Sequence, residues 1–540
     1  DEHTLLLEDL AQVEVVRGPG AAVWGANAVN GVINLVTKPA AETQGVLLTA
    51  TTGTTETSGA VRYGATLAGG WAYRVHALAF RHGATRTATG ADAGDEWSGG
   101  RAGFRIDRAG ENLARLTLSG EAYQSRGDFV REGVRFAPPD FTFLDRDSGV
   151  RLSGGHVLAR WDAQDQRGLG LAVQASADTS WRLQSAFELE QQAYELSFQH
   201  AGERGPHLWS WGAGVRATRD QSKERNGLAF VPPDDSTRTL SVHVQDQISF
   251  LDDRLQAIVG ARFEDSDYVD RELQPNVRAV WQASETAVLW AAVSRALRSP
   301  TRTETGLRFD AGVLPPGALG PNSLPAIVRW AGRPDHRREV LTAYEVGVRF
   351  RPSERTHFEV SAYVHDYRDL TDIGPVGIPV VATSAGVFYS LANWTYRNSL
   401  EGTSRGAEAV FTFQPDARQR WQLGATTTHL SLKGPADGTD LAYFSGSTPD
   451  YDAFLRGTYA LSPLWELTGS VRAVGARPSL GVPAYVSPDV RLAWRPRAGW
   501  EVELLAENLA DPVHPEFREG LGNLVYQVRR GVFVRATWRH

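Results

Sequence analysis

The stretch AYEVGVRFRPSERTHFEVSAYV, residues 343–364, alternates apolar and polar side chains on both sides of a Pro-containing break. Tyr344, Val346, Val348 and Phe350 share one face, and Glu345, Gly347, Arg349 and Arg351 share the other, because residues two apart on a strand point the same way. Beyond Pro352-Ser353-Glu354, Phe358, Val360, Ala362 and Val364 alternate with Glu359, Ser361 and Tyr363. This is a pair of strands joined by a tight turn, each with one apolar and one polar face. The same alternation recurs at Leu255/Ala257/Val259/Ala261/Phe263, Ala407/Ala409/Phe411/Phe413, Trp465/Leu467/Gly469/Val471 and Val490/Leu492/Trp494.

Two kinds of connection separate the strands. Residues 351–354, 414–417 and 495–499 are short and turn-like, whereas 300–337, 367–401 and 431–450 are long and rich in Gly, Pro and polar residues. Loops of ~35 residues are uncommon in compact soluble domains. Short turns at one rim and long loops at the other are the plan of an outer-membrane barrel. At ~22 to 23 residues per strand and connection, the ~495 residues after the first segment supply about 22 strands, the size of a plugged barrel. The closing strand sorts Val532, Val534, Ala536, Trp538 and His540 from Phe533, Arg535, Thr537 and Arg539. An arginine facing lipid at mid-depth costs ~2–4 kcal/mol, so the second face is expected to look into a lumen. His540 stands where such barrels usually end in Phe.

Composition agrees. The 540 residues include 54 Gly, 16 Trp, 15 Tyr and 21 Phe, as suits strand bends and interfacial anchors. A net charge of −7, spread along the chain, makes no case for nucleic acid. With no Cys, disulfides, thiolate metal sites and cysteine nucleophiles are excluded. No run approaches the ~18–20 apolar residues of a membrane helix, but barrel strands need only ~9–11 alternating residues. The chain has no Met and no basic-then-apolar leader, and its N-terminus reads as cut.

The opening differs from the rest. Val13-Glu14-Val15-Val16 reads as a short strand, 17–20 as a turn, 21–28 as a brief helix, and 32–37 as a second strand. A linker then leads to a first barrel strand near Gly45. This opening, VEVVRGPGAAVWGANAVNGVINLVTK, closely resembles the second half of the plug of TonB-dependent outer-membrane receptors. The ordered spacing of Arg17-Gly18-Pro19-Gly20, Trp24-Gly25-Ala26-Asn27-Ala28 and Asn30-Gly31-Val32-Ile33-Asn34 carries the resemblance. DEWSGGRAGFRID, VRAVWQASETAVLWAAVSRALRSPTRTE, YEVGVRFRPSERTHFEVSAYVHDYRDL, EVELLAENLADPVHPEF and RRGVFVRATWRH extend it almost end to end.

The resemblance implies an all-β chain: a large transmembrane antiparallel barrel of about 22 strands, with a partial α+β plug in its lumen. Residues 1–41 would be the C-terminal half of the plug, and 42–540 the barrel. It also implies energy-coupled uptake of a scarce nutrient, most often a ferric siderophore or similar metal chelate. The partners implied are the outer-membrane lipid bilayer of a Gram-negative cell, a TonB-type energy-transducing protein and an extracellular chelate; a monomer is expected. The family's TonB box and first plug half have no counterpart here, which leaves a passive channel with a reduced plug as the alternative. A barrel enzyme ranks below both.

For individual residues, a functional and a plain reading stand side by side. Glu14 and Arg17 resemble members of the charged network that locks plug to wall, or are ordinary surface pairs worth ~0–1 kcal/mol. Gly18, Gly20, Gly25 and Gly31 serve backbone geometry, since no Gly-Lys-Ser/Thr follows to make a phosphate loop. Arg295, Arg298 and Arg302, then Arg329, Arg333, Arg337 and Arg338, with Trp330 and His336 among them, suit an anionic chelate through charge-assisted hydrogen bonds and stacking. The plain reading is a solvated loop. Phe388, Tyr389, Trp394 and Tyr396 are either ligand contacts or interfacial aromatics. His514 and Glu516 are too few for a metal site. No HExxH or Gly-x-Ser-x-Gly occurs, so neither an enzyme nor a cofactor is expected.

Overall fold

A computed structural model describes the chain apart from residues 1–5, 111–113, 129, 138–139, 148, 185–186, 226, 385, 439–440 and 519–524. Twenty-two strands, each antiparallel to both neighbours, close into one barrel. The ring begins with Gly45–Gly53 and is sealed by Gly531–Arg539, which pairs with it from Leu47↔Arg539 to Gly53↔Phe533. Beyond the last ladder pair, Val46 and His540 exchange both backbone hydrogen bonds, at 2.9 Å each. Gly45 permits this closure: its φ is +79°, and a Cβ there would lie 1.9 Å from the His540 carbonyl oxygen.

Closure leaves no unpaired edge, so the backbone's polar groups are satisfied between strands and the apolar faces can turn outward. Tyr344, Val346, Phe350, Val360 and Val364 are all exposed on the outer surface, as are Val532 and Val534 of the sealing strand. Arg535 and Thr537 turn inward, and Thr537 is buried. This distribution is an apolar band around a polar interior.

The two rims differ. Turns at 68–70, 251–254, 283–286, 354–355, 417–418 and 463–464 are short and lie on the side where the barrel ends meet. One of them uses three consecutive left-handed residues, Leu251, Asp252 and Asp253. An aromatic girdle sits near this rim. Trp465 and Trp494 stack at 5.6 Å, Arg497 lies 5.2 Å over Trp500, and Arg108 lies 5.3 Å over Trp71.

The other rim carries the long connections, and here one expectation is corrected. The stretch 367–401 is mostly strand: Thr356–Pro375 and Val387–Asp416 continue well past the apolar band, with Val380–Ser384 pairing between them. Gly374 and Pro375 are paired within the strand, opposite Thr395 and Trp394, while Gly377 and Pro379 lie in the turn before Val380–Ser384 and Gly386 in the turn after it. Residues 300–337 also form structure, the helix Arg302–Gly306 and the strands Leu307–Leu314 and Ala326–Ala331.

Inside the barrel, Leu10–Arg17 and Gly31–Thr37 form a separate two-stranded sheet, with the helix Ala21–Trp24 between them, shorter than expected. Val29 from this segment packs with Tyr367 against Ala296, Leu341 and Ala343 of the wall.

Candidate functional site: the mouth and the inner segment

At the mouth, the loop strands assemble into a small sheet. Leu228–Phe230 pairs with Leu307–Leu314, which pairs with Ala326–Ala331, which lies parallel to residues 390–395. The sheet therefore bridges connections that lie far apart along the chain. Its register sets Trp330 beside Trp394 and Arg329 beside Asn393. Trp330 meets Phe309 edge-on at 6.2 Å and packs with Phe187 and Tyr396 against Leu228, Phe230 and Leu307. Tyr389 lies on the strand that carries Trp394, opposite Ala382 of the hairpin.

Beneath the sheet, Arg298 ends its barrel strand by gripping two carboxylates. Its guanidinium donates to Glu304 at 2.6 Å, to Glu339 at 2.7 Å and to Thr371 at 2.8 Å. Glu304 is placed by a capping box: Thr301 starts the helix Arg302–Gly306, and each residue's side chain bonds the other's backbone N–H. Burial works to raise the Glu304 pKa, but hydrogen bonds from Arg298 and the Thr301 backbone outweigh it and hold it below the usual value. Neither Glu304 nor Thr301 is among the candidates that the sequence reading singles out. The Thr-x-x-Glu spacing after Pro300 is the signal that points to them.

His336 is buried beside this clamp. Its Nε2 lies 3.2 Å from Thr371 Oγ1, its ring meets Tyr396 edge-on at 6.3 Å, and its Nδ1 is buried without a partner among the described residues. Burial lowers its pKa. Arg333 is turned to Asp335 and Arg329 to Asp310, each through two hydrogen bonds. The mouth thus brings Arg329, Trp330, His336 and Trp394 into one region, with Arg333 on the exposed turn beside it. His514 bonds Glu516 at 2.8 Å and lies 4.4 Å from Tyr485. Among the described residues, no group of three His, Asp or Glu is placed to hold a metal ion.

The inner segment is held to the wall at both ends. At the short-turn end, Asp9 is buried, with Arg62 Nη1 at 2.5 Å and Arg74 Nε at 3.1 Å. The Arg74 contact is Coulombic, because Nε is not aligned for a hydrogen bond. Arg74 instead donates Nη1 to the Lys38 carbonyl at 2.6 Å. Lys38 ties the segment to itself, its N–H to the Asp9 carbonyl and its Nζ to that of Glu8, each at 2.8 Å. Glu8 bonds Arg535, and Asp107 accepts the Ala40 N–H at 2.6 Å.

At the other end of its strand Arg17 reaches Glu408 at 2.5 Å, and toward the mouth Asn27 N–H donates to Leu297 at 2.7 Å and Asn27 Oδ1 accepts from the Ser299 N–H at 2.9 Å. Gly18 lies against Glu345, where a Cβ would come within 2.1 Å of the carboxylate. Glu14, expected at the wall with Arg17, accepts instead from Asn34 at 2.8 Å. Asn34 is its cross-strand neighbour on the same face of the hairpin, and Gln12, two residues back, donates to it as well, so its donors lie within the segment.

A sequence model described as TonB dependent receptor-like, beta-barrel, matches residues 41–509. No curated protein sequence matches the chain. Among solved structures, the siderophore receptor PirA from Acinetobacter baumannii is similar at a TM-score of 0.80 and 15% identity, covering 100% of this chain and 86% of its own. A point mutant of the ferric enterobactin receptor PfeA from Pseudomonas aeruginosa matches at 0.75 and 15%, with 100% and 86% covered. The FrpB iron transporter from Neisseria meningitidis matches at 0.75 and 14%, with 99% and 88% covered.

Proposed function

Because this chain belongs to the TonB-dependent receptor-like β-barrel family, we propose that it is an outer-membrane receptor for energy-coupled uptake of a scarce metal chelate, of the ferric siderophore class. In this reading residues up to 41 act as plug and 42–540 as barrel, one barrel serving as the working unit in the outer membrane of a Gram-negative cell. Chelate binds at the mouth, where Arg329, Trp330, Arg333, His336, Tyr389 and Trp394 are the contacts we assign. A TonB-type protein then draws on the plug from the opposite side.

The observation that carries this reading is the latch at Glu8 and Asp9. Ion pairs from Arg535, Arg62 and Arg74 hold the inner segment at its first described residues, on the rim away from the mouth. Traction from that side loads these pairs first. Breaking one side of a buried pair costs about 3–5 kcal/mol, enough to hold the segment at rest. Arg17 and Gly18 lie near the far end of the same hairpin, so shifting the strand Leu10–Arg17 changes the surface presented toward the mouth.

The test is uptake of ⁵⁵Fe-loaded chelates by cells making the receptor, with and without a functional energy transducer. The expected result is binding in both strains and accumulation only in the energised one. A large steady current through planar bilayers without any partner protein identifies the passive channel instead.

A further inference from the structure

Among the described residues, the arginines of the loop between residues 299 and 338 are all neutralised by acids. Every one of the six arginines between residues 299 and 338 is engaged by a carboxylate. Arg302 pairs with Asp220 at 3.1 Å, Arg308 with Glu224 at 2.8 Å, Arg329 with Asp310 at 2.6 Å, Arg333 with Asp335 at 2.5 Å and Arg337 with Asp369 at 3.1 Å, and Arg338 pairs with Glu272. Arg298, at the rim, is shared between Glu304 and Glu339. An anionic ligand approaching any of these cations meets the partner carboxylate as well. It must either displace that carboxylate or accept its repulsion.

The segment facing them across the loop sheet has the opposite character. From Ile373 to Tyr396 there is no Asp, Glu, Lys, Arg or His. Its hairpin leaves Ile378 84% exposed, Val381 60% and Phe388 60%. Apolar side chains this open, along an extracellular hairpin and in the turn that leads into it, gain by covering an apolar solute and offer nothing to an anion.

Resting on the reading above that the cargo is a metal chelate, we infer that this receptor's chelate has little or no net charge and an apolar periphery. Among iron chelates, the trishydroxamate type fits this description, since three singly charged ligands neutralise Fe³⁺. The triscatecholate type is a trianion. Ion-paired arginines then act as neutralised hydrogen-bond donors and spacers, while the uncharged hairpin and the aromatic pair supply contact area.

The experiment is a titration of the purified chain in detergent, read by quenching of tryptophan fluorescence, with a neutral ferric trishydroxamate and a ferric triscatecholate as probes. The neutral probe is expected to bind at least about tenfold more tightly, with a Kd that moves less than about twofold as salt rises to about 0.5 M. Ile378→Asp combined with Phe388→Asp, both at exposed positions, should weaken the neutral probe about tenfold and leave circular dichroism unchanged. Asp310→Asn, which releases Arg329, should strengthen the triscatecholate. Equal or tighter binding of the triscatecholate, weakening with salt, overturns the inference while leaving iron uptake standing. Binding of neither probe at about 100 μM overturns the iron-chelate reading and the inference together.

Discussion

The two ends of the lumen use the same residue types to opposite effect. At the short-turn end, Asp9 meets Arg62 and Arg74 with all three side chains buried, and the paired residues belong to separate elements, the inner segment and the wall. At the mouth, Arg333 pairs with Asp335 two residues away, on an exposed turn, and Arg337 with Asp369 across an exposed edge. Exposed pairs contribute ~0–1 kcal/mol because water and salt screen them. Buried pairs cannot be broken on one side without stranding a charge. Ion pairs therefore fasten the short-turn end of the molecule, and on the outermost turns of the mouth, above the Arg298 clamp, they merely neutralise.

The largest test of this contrast is Asp9→Asn. It leaves Arg62 and Arg74 buried together with no anion between them, which costs about 3–5 kcal/mol in the contact between inner segment and wall. Hydrogen exchange across residues 6–44 should accelerate strongly while the barrel strands stay protected, and single-channel recordings should show openings that the parent lacks. If the inner segment remains equally protected, Lys38 and Ala40 suffice to hold it and the latch is redundant. The same replacement at Asp335 should change neither readout.

A smaller effect is expected from pH, and only at the mouth. Burial depresses the His336 pKa below its ordinary 6.5, so the folded mouth holds His336 neutral and binds fewer protons near that pH than the unfolded chain does. The stability linked to His336 is therefore present above 6.5 and falls as pH drops through the folded value. Its neighbours do not cancel this. Glu304 and Glu339 favour the protonated ring, while Arg298 and Arg333 oppose it. The Glu304 carboxyl, held below 4.5, changes charge only in stronger acid. Protection of residues 332–340, taken relative to the intrinsic exchange rate at each pH, should fall from about pH 7 to about pH 5, and His336→Gln should remove most of that dependence. A pH response of the same size at Asp9 would contradict the contrast between the two ends.

The barrel is readable in the sequence and the fastenings are not, for one physical reason. Alternation at 343–364 and at the sealing strand is local, so two-residue periodicity alone sorts lumen from exterior, and Tyr344, Val346, Val532 and Arg535 lie where it places them. Asp9 and Arg62 are 53 residues apart and Glu8 and Arg535 are 527 apart, so nothing near either partner announces the other. Arg17 stands out only through its motif, and its Glu408 partner lies 391 residues on. The strand extensions in 367–401 are hidden for a different reason. Gly374 and Pro375 there sit inside a strand that its neighbour holds in register, which composition cannot distinguish from a loop. The Thr301–Glu304 box, by contrast, is local and legible.

Arg17→Ala sets the lower bound of the comparison. Arg17 joins the inner segment to the wall, as Asp9 does, yet its side chain is 56% exposed, like the mouth pairs. If connecting remote elements is what makes a pair matter, the substitution should loosen the inner segment as Asp9→Asn does. If burial is what matters, the loss is at most about 1 kcal/mol and fades with salt. The second outcome is expected, because the Arg17 guanidinium stays hydrated whether or not Glu408 is near. Deleting it strands only Glu408, which is itself partly exposed and can return to water. Exchange rates in the strand Leu10–Arg17 that match the parent at about 0.5 M salt and differ slightly at low salt would place the restraint at Asp9 and leave Arg17 as a guide to registration.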